Sequence, residues 1–146
     1  MAASSEKDSL VIIAGYGLPG REAAQLLKNH QRPYCIIELN PTTVHRCEKG
    51  HVPIIEGSCT DPEILKKAGI EKAKTFIIAI PDEKAALEST AAARKLNPNI
   101  RILTRCHYTS AGIEAKARGA DEVIVAEQVV AAEISKRIAE ELGRPG

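Results

Sequence analysis

The chain has 146 residues, long enough for one compact domain with a sizeable core, and 44% of them are hydrophobic but only 3% aromatic. Such a core of Ile, Val, Leu and Ala suits a parallel sheet covered by helices. The formal net charge of +1 supplies neither a basic field for nucleic acid nor an acidic one for cations, so no nucleic-acid partner is expected.

Met1 to Ser9 are small, polar and charged, without the apolar stretch of a signal peptide, and read as a flexible lead-in. Residues 10–146 read as a single domain in which short β-branched runs alternate with helical patterns. Leu10 to Ala14 is the first strand, followed by a helix over Leu18 to His30 and a second strand over Tyr34 to Glu38. Val52 to Glu56, Thr75 to Ile80, Ile100 to Cys106 and Glu122 to Ala126 continue the series. Asn40-Pro41 and Asp61-Pro62 each place a capping residue before a proline suited to the first helical position. Gly50, Gly69 and Gly119 fall where helices should end in a left-handed residue.

This alternation predicts an α/β fold: a Rossmann-like, doubly wound, parallel six-stranded sheet with helices on both faces. Pro53 removes a ladder donor, which places its strand at a sheet edge, where the order 3-2-1-4-5-6 puts the third strand. The last helix, Glu127 to Leu142, carries Val130, Ile134, Ile138 and Leu142 at helical spacing. That stripe either packs on the chain's own sheet or forms a dimer contact. The apolar runs, such as Phe76 to Ile80, are far shorter than the about 20 residues a bilayer demands, so the chain as given is expected to be cytoplasmic.

Gly15-Tyr16-Gly17-Leu18-Pro19-Gly20 matches the dinucleotide fingerprint Gly-x-Gly-x-x-Gly, directly after a strand and opening a helix. Gly15 permits the tight turn, Gly17 lets a pyrophosphate approach the backbone, and Gly20 lets the helix pack closely on the strand. Phosphates would sit on the free N–H groups at the helix N-terminus, where Pro19 costs no needed donor. Glu38 closes the second strand about 20 residues on, where the fingerprint places a carboxylate for the ribose hydroxyls. The same carboxylate repels a 2′-phosphate, so NADP should bind poorly, while AMP, ADP, ATP and NAD(H) remain open.

Loops after later strands should complete the site. Leu39 follows Glu38, Ser58 and Cys59 follow the third strand, and Ile80, Pro81 and Asp82 the fourth. Asp82 is equally placed to cap the next helix, with Glu83 in its first turn. Arg105, ending the fifth strand, can meet a phosphate, a partner subunit or only solvent. Tyr108, near the carboxyl edge of the sheet, can touch a ligand but reads rather as loop packing. His30, His45, His51 and His107 show no shared metal-ligand spacing, and Cys35, Cys47, Cys59 and Cys106 no paired spacing. No metal is expected, and the cysteines read as reduced thiols.

The glycine loop, then Ile36-Ile37-Glu38-Leu39-Asn40 and Ile55-Glu56-Gly57-Ser58-Cys59-Thr60-Asp61, resemble the N-terminal lobe of RCK/KTN (TrkA-N type) domains. Leu65-Lys66-Lys67-Ala68-Gly69-Ile70, Phe76-Ile77-Ile78-Ala79-Ile80-Pro81 and Gly119-Ala120-Asp121-Glu122-Val123-Ile124 extend the resemblance over roughly Leu10 to Leu142. The variety most similar is the cytoplasmic domain of bacterial potassium-efflux and monovalent cation:proton antiporters. The resemblance implies a homodimer at the cytoplasmic face of the inner membrane, coupled to a membrane-embedded transporter in the same or a separate chain. It further implies that an adenine nucleotide or NAD(H) bound at Gly15 to Gly20 and Glu38 gates transport by rearranging the dimer. Where that family usually reads Gly-Asp-Ala-Thr, this chain has Gly57-Ser58-Cys59-Thr60, so Ser58 replaces an acidic contact.

Two other classes compete. An NAD-dependent oxidoreductase needs a proton donor beside the nicotinamide. No Tyr-x-x-x-Lys pair exists here, since Gly20, Glu38 and Gly112 stand four residues after Tyr16, Tyr34 and Tyr108. A dimerisation module with an inactive nucleotide pocket is the other, and the three glycines argue against it. The expectation is a regulator, not an enzyme.

Overall fold

The computed structural model describes residues 9–145, so the lead-in expected over Met1 to Ser9 lies, but for Ser9, outside the described residues. In chain order the elements are β1 (Val11–Ala14), α1 (Leu18–Asn29), β2 (Tyr34–Glu38), α2 (Pro41–Lys49), β3 (Ile54–Glu56) and α3 (Pro62–Ala68). The second half runs β4 (Thr75–Ile78), α4 (Glu83–Leu96), β5 (Arg101–Cys106), α5 (Thr109–Arg118), β6 (Glu122–Val125) and α6 (Ala126–Leu142).

All strands pair in parallel in the order β3-β2-β1-β4-β5-β6, the doubly wound order expected. The direction of winding reverses between β1 and β4, where Ala14 lies beside both Ile37 of β2 and Ile78 of β4. A crevice opens at such a reversal, outside the carboxyl ends of the strands.

Alternate residues of each strand serve opposite faces. On one face Ile12, Phe76, Ile78 and Ile102 pack with Leu65 of α3, Ala86 and Ala93 of α4 and Ala115 of α5. On the other, Val11, Ile13 and Ile36 pack with Ala24 and Leu27 of α1. Alanines on α4 and α5 let these helices approach the sheet closely. Buried polar groups are paired: Thr90 donates to the Ala86 carbonyl at 2.8 Å, and Asn97 Nδ2 donates to Ile70 and Ala73 carbonyls at 2.9 and 3.1 Å. Arg94 bridges the Gly119 and Ile100 carbonyls and the Asp121 carboxylate, at 2.8, 2.7 and 2.7 Å.

Several local expectations are corrected. Gly69 and Gly119 do take positive φ (97° and 120°), but Gly50 closes α2 at φ −86°, and the left-handed residue is His51 (φ 59°). Pro53 stands one residue before β3 rather than inside it, so the edge strand keeps its donors and Pro53 lends only its carbonyl, to Ile36 N–H at 2.9 Å. The fourth strand ends at Ile78, which releases Ala79 to Pro81 as loop at the crevice.

The stripe on α6 does not pack on its own sheet. Among the described residues α6 buries no side chain, and Val130, Ile134, Ile138 and Leu142 are 57, 54, 53 and 81% exposed. Its first turn is fixed by Glu127, which accepts from Thr109 N–H at 2.8 Å while its own N–H donates to the His107 carbonyl. The helix then leaves uncovered the sheet face over β4, β5 and β6 that a packed α6 would close. No helix of the described residues is long and apolar enough to cross a membrane.

Candidate functional site

The glycine loop links β1 to α1 at the crevice, and its three glycines answer to different constraints. Gly15 has φ 96°, and a Cβ there would lie 3.1 Å from Ile80 Cγ2 and 3.2 Å from the Ala79 carbonyl oxygen. A Cβ on Gly20 would overlap the Gly15 carbonyl oxygen. Both glycines are demanded by the chain's own packing. Gly17 is not: its φ of −76° suits any residue, and a Cβ would meet nothing within 4 Å.

Gly17 is also the N-cap of α1, and no side chain caps it or places an acid in its first turn. By contrast, the side chains of Asn40, Asp61 and Asp82 cap α2, α3 and α4, accepting from Thr42, Glu63 and Ala85 N–H at 2.9, 2.9 and 3.0 Å. Pro19 removes one of the four N–H groups a helix start leaves without intrahelical partners. Those of Gly17, Leu18 and Gly20 remain, at the positive end of the helix dipole.

Glu38 braces this loop. One carboxylate oxygen accepts from Tyr16 N–H at 2.9 Å and the other from Asn40 N–H at 2.9 Å, which fixes the side chain at the crevice rim. A carboxylate has about four lone-pair positions, so each oxygen can still accept from a ligand hydroxyl.

Around these groups lies a cavity of about 780 Å³, within the range that holds small ligands. It gathers Gly15, Tyr16, Gly17, Leu18, Pro19, Glu38, Leu39, Ser58, Cys59, Ile80, Pro81, Asp82 and Arg105, thus every sequence-predicted site residue but Gly20. Gly20 lies beneath the loop, and Tyr108 stands outside at the start of α5. Leu18 and Leu39, 63 and 69% exposed, offer apolar edges at the mouth.

The polar groups differ in how free they are. Ser58 Oγ lies 2.7 Å from Thr60 Oγ1 and accepts from Thr60 N–H at 3.2 Å, so it is occupied in its own turn. Cys59 is buried, which pushes its thiol above the ordinary cysteine range. Asp82 caps α4 while facing the cavity, so both expectations for it describe one residue. The Pro81 carbonyl is engaged by His107 Nε2. Arg105 makes no ion pair among the described residues.

Sequence reasoning missed Ile37, Asn40, Pro41, Gly57, Ala79 and Ala85, which also line the cavity. Asn40 and Pro41 carried a signal, since they stand two and three residues after Glu38, but their helix-capping role accounted for them fully. No group of three or more His, Cys, Asp or Glu among the described residues could hold a metal, and all four cysteines are free.

Beside this cavity an apolar groove of about 400 Å³ runs between the sheet, α1 and α6, lined by Ala23, Ile77, Leu103, Ile124, Val129 and Val130. Pro19, Ala79 and Arg105 form a wall common to groove and cavity.

Comparison with known proteins agrees with this geometry. The TrkA-N domain family matches residues 11–126. A glutathione-regulated potassium-efflux system protein, KefC of Klebsiella pneumoniae, is 32% identical over 120 residues, covering 77% of this chain and 19% of that protein. Potassium channel protein 1 of Methanocaldococcus jannaschii is 35% identical over 115 residues, covering 77% of this chain and 34% of the relative. The chain thus matches between about a fifth and a third of these longer proteins.

Among solved structures, the TrkA-N domain of the inner membrane protein YbaL from Escherichia coli superposes with a TM-score of 0.83 at 31% identity, over 94% of this chain and 98% of that one. The GsuK protein bound to ADP gives 0.81 at 27% identity, over 94% of this chain and 35% of that one. The GsuK channel bound to NAD gives 0.82 at 27%, over 95% and 25%. Sheet order, glycine loop, family match and these relatives agree: the chain belongs to the TrkA-N family of RCK-type domains.

Proposed function

We propose that this chain is a regulatory domain whose glycine-loop cavity binds an adenine nucleotide (AMP, ADP, ATP or NAD(H)) and thereby controls potassium or cation:proton transport. The observation that carries the reading is Gly17. Its backbone needs no glycine and its missing side chain faces open space, so the glycine serves whatever approaches the loop. The uncapped start of α1 beside it selects an anion, and Glu38 at the rim suits ribose hydroxyls. ADP and NAD in the GsuK structures support the ligand class.

The partner of such a domain is a membrane-embedded transporter or channel in the same or a separate chain, with the domain at the cytoplasmic face. A second copy of this domain completes the assembly, seated on α6 and the neighbouring groove. Five large apolar residues of α6 are exposed there, an uncommon concentration for a monomer's surface. Ligand and dimer are coupled through Pro19, Ala79 and Arg105, which belong to both cavities. A nucleotide that draws Arg105 toward its phosphates changes the floor of the groove and favours one dimer arrangement. The shift cannot exceed the ligand's differential affinity for the two arrangements.

The first test is thermal unfolding of the domain with AMP, ADP, ATP, NAD, NADH and NADPH in parallel. A true ligand at 100 times its Kd stabilises by about 2.7 kcal/mol, roughly 5–10 °C for this size. NADPH is expected to have no effect, because Glu38 opposes its 2′-phosphate. If no nucleotide raises the melting temperature, the reading fails. Sedimentation of the same samples tests the dimer, and a ligand that binds without altering the association constant or shape removes the switching step. Steady consumption of NADH would overturn the non-enzymatic assignment.

A further inference from the structure

Arginines divide sharply by their surroundings. Arg94, Arg101, Arg118, Arg137 and Arg144 are each held in an ion pair with a glutamate or aspartate. Arg21, Arg46 and Arg105 make no ion pair and no side-chain hydrogen bond with any described residue. All three border the glycine loop: Arg105 lines the main cavity, and Arg21 and Arg46 line a second one of about 460 Å³. Tyr16, Gly17, Thr43, Cys47 and Val52 complete that second cavity, and Tyr16 and Gly17 belong to both.

The placement follows from the helices. Arg21 lies one turn beyond Gly17 on α1, and its N–H donates to the Gly17 carbonyl at 2.9 Å. Thr43, Arg46 and Cys47 fall at i, i+3 and i+4 on one face of α2, and all three line the same cavity as Arg21 of α1. Two guanidinium groups and a threonine hydroxyl thus converge on the flank of a loop that already presents free N–H groups. No carboxylate lines this cleft. Guanidinium groups are matched to phosphate oxygens by their planar, forked donors.

We propose that the Arg21–Arg46 cleft is a second phosphate subsite, which takes a further phosphate of the nucleotide whose first phosphate lies at Gly17. The inference rests on the nucleotide reading above and refines it: the ligand is richer in phosphate than a monophosphate. Glu38 disfavours a phosphate on the ribose, so the further phosphate belongs to the 5′ chain, as in ADP or ATP.

The test is titration calorimetry of the wild-type chain and of Arg21→Gln, Arg46→Gln and the double variant with AMP, ADP, ATP and 2′,5′-ADP. Both arginines are exposed, so the variants should fold, which a circular dichroism melt verifies. In the wild type, ADP or ATP is expected to bind at least roughly tenfold tighter than AMP, the size of one charge-assisted contact. The double variant should erase that advantage and leave AMP within about threefold. An Arg46→Lys variant should restore part of it, since charge remains but the fork is lost. The proposal is overturned if AMP binds as tightly as ADP and ATP, or if the double variant weakens all ligands alike. If 2′,5′-ADP instead holds the arginine-dependent advantage, the assignment to the 5′ chain is wrong. A flat series with AMP bound sinks this inference alone, whereas no binding of any nucleotide sinks the parent reading with it.

Discussion

Replacing Gly17 by alanine separates the two reasons a glycine can stand in this loop. At φ −76° and with no atom within 4 Å of the added methyl, alanine introduces no strain. Two small terms then oppose each other. Alanine restricts the unfolded chain, which stabilises by about 0.4–1 kcal/mol, but it is a poorer N-cap than glycine by roughly the same amount. The expected net change is within about 0.5 kcal/mol, a melting shift of no more than about 2 °C. Nucleotide binding should respond very differently. The methyl occupies the approach to the N–H groups of Gly17 and Leu18, and two charge-assisted hydrogen bonds contribute about 1.5–3 kcal/mol each. Loss of both corresponds to at least about 100-fold in Kd. Gly20→Ala is the control with the reverse signature: its Cβ overlaps the Gly15 carbonyl, so it should lower stability by about 3 kcal/mol or more. Thermal melts and calorimetric titration of both variants suffice. A Gly17→Ala chain that binds nucleotide within about threefold of wild type would refute the placement of phosphate at this residue, and one that fails to fold would show the glycine to be structural.

Other outcomes follow from the same geometry. Glu38→Ala should cost about 1 kcal/mol of stability, because Tyr16 and Asn40 N–H lose their acceptor, and should weaken AMP by roughly tenfold or more. The affinity loss should be smaller with 2′-deoxy-AMP, and equal losses would remove the ribose from Glu38. Ile134→Glu or Ile138→Glu, at 54 and 53% exposure, should leave monomer stability unchanged and abolish self-association in sedimentation; an unaffected dimer would place the interface elsewhere. The Ile102 N–H bonded to Asp121, with Arg94 beside it, holds that carboxyl below the usual aspartate range. Its folded pKa lies below the unfolded one, so its stabilisation is full above the unfolded value and is lost as pH falls through the folded value. Urea titrations across the acid range should therefore show a shallower pH dependence for Asp121→Asn than for wild type.

The strands were readable because parallel strands covered on both faces are continuous apolar runs, as in Leu10 to Ala14 and Phe76 to Ile80. Their order was readable because the glycine loop and Glu38 identify the first two strands of a fold whose winding is constrained. The fate of α6 was not. Val130, Ile134, Ile138 and Leu142 have the same spacing whether they cover their own sheet or another surface, and periodicity cannot name the partner. Gly50 misled because the chain turned one residue later, at His51, where a histidine tolerates the left-handed region. Pairings that depend on distant segments were equally hidden. Ser58 looked available for a ligand but bonds Thr60, and Gly57, Ala79 and Ala85 reach the cavity only once β3, β4 and α4 are assembled around the loop.

The junction between β6 and α6 has a mechanical consequence. Val125 ends the strand and Ala126 begins the helix with no residue between them. The 17 residues of α6 extend about 25 Å at 1.5 Å per residue, with side chains that touch little of the chain beyond the first turns. A rod mounted so directly has no hinge of its own, and its direction is inherited from the sheet edge. A rotation of only about 5° at Val125 carries Leu142 through about 2 Å, the scale of the helix shifts that accompany rearrangement at an interface. A tilt of the outermost strand too small to disturb the core is thereby magnified at the far end of the molecule.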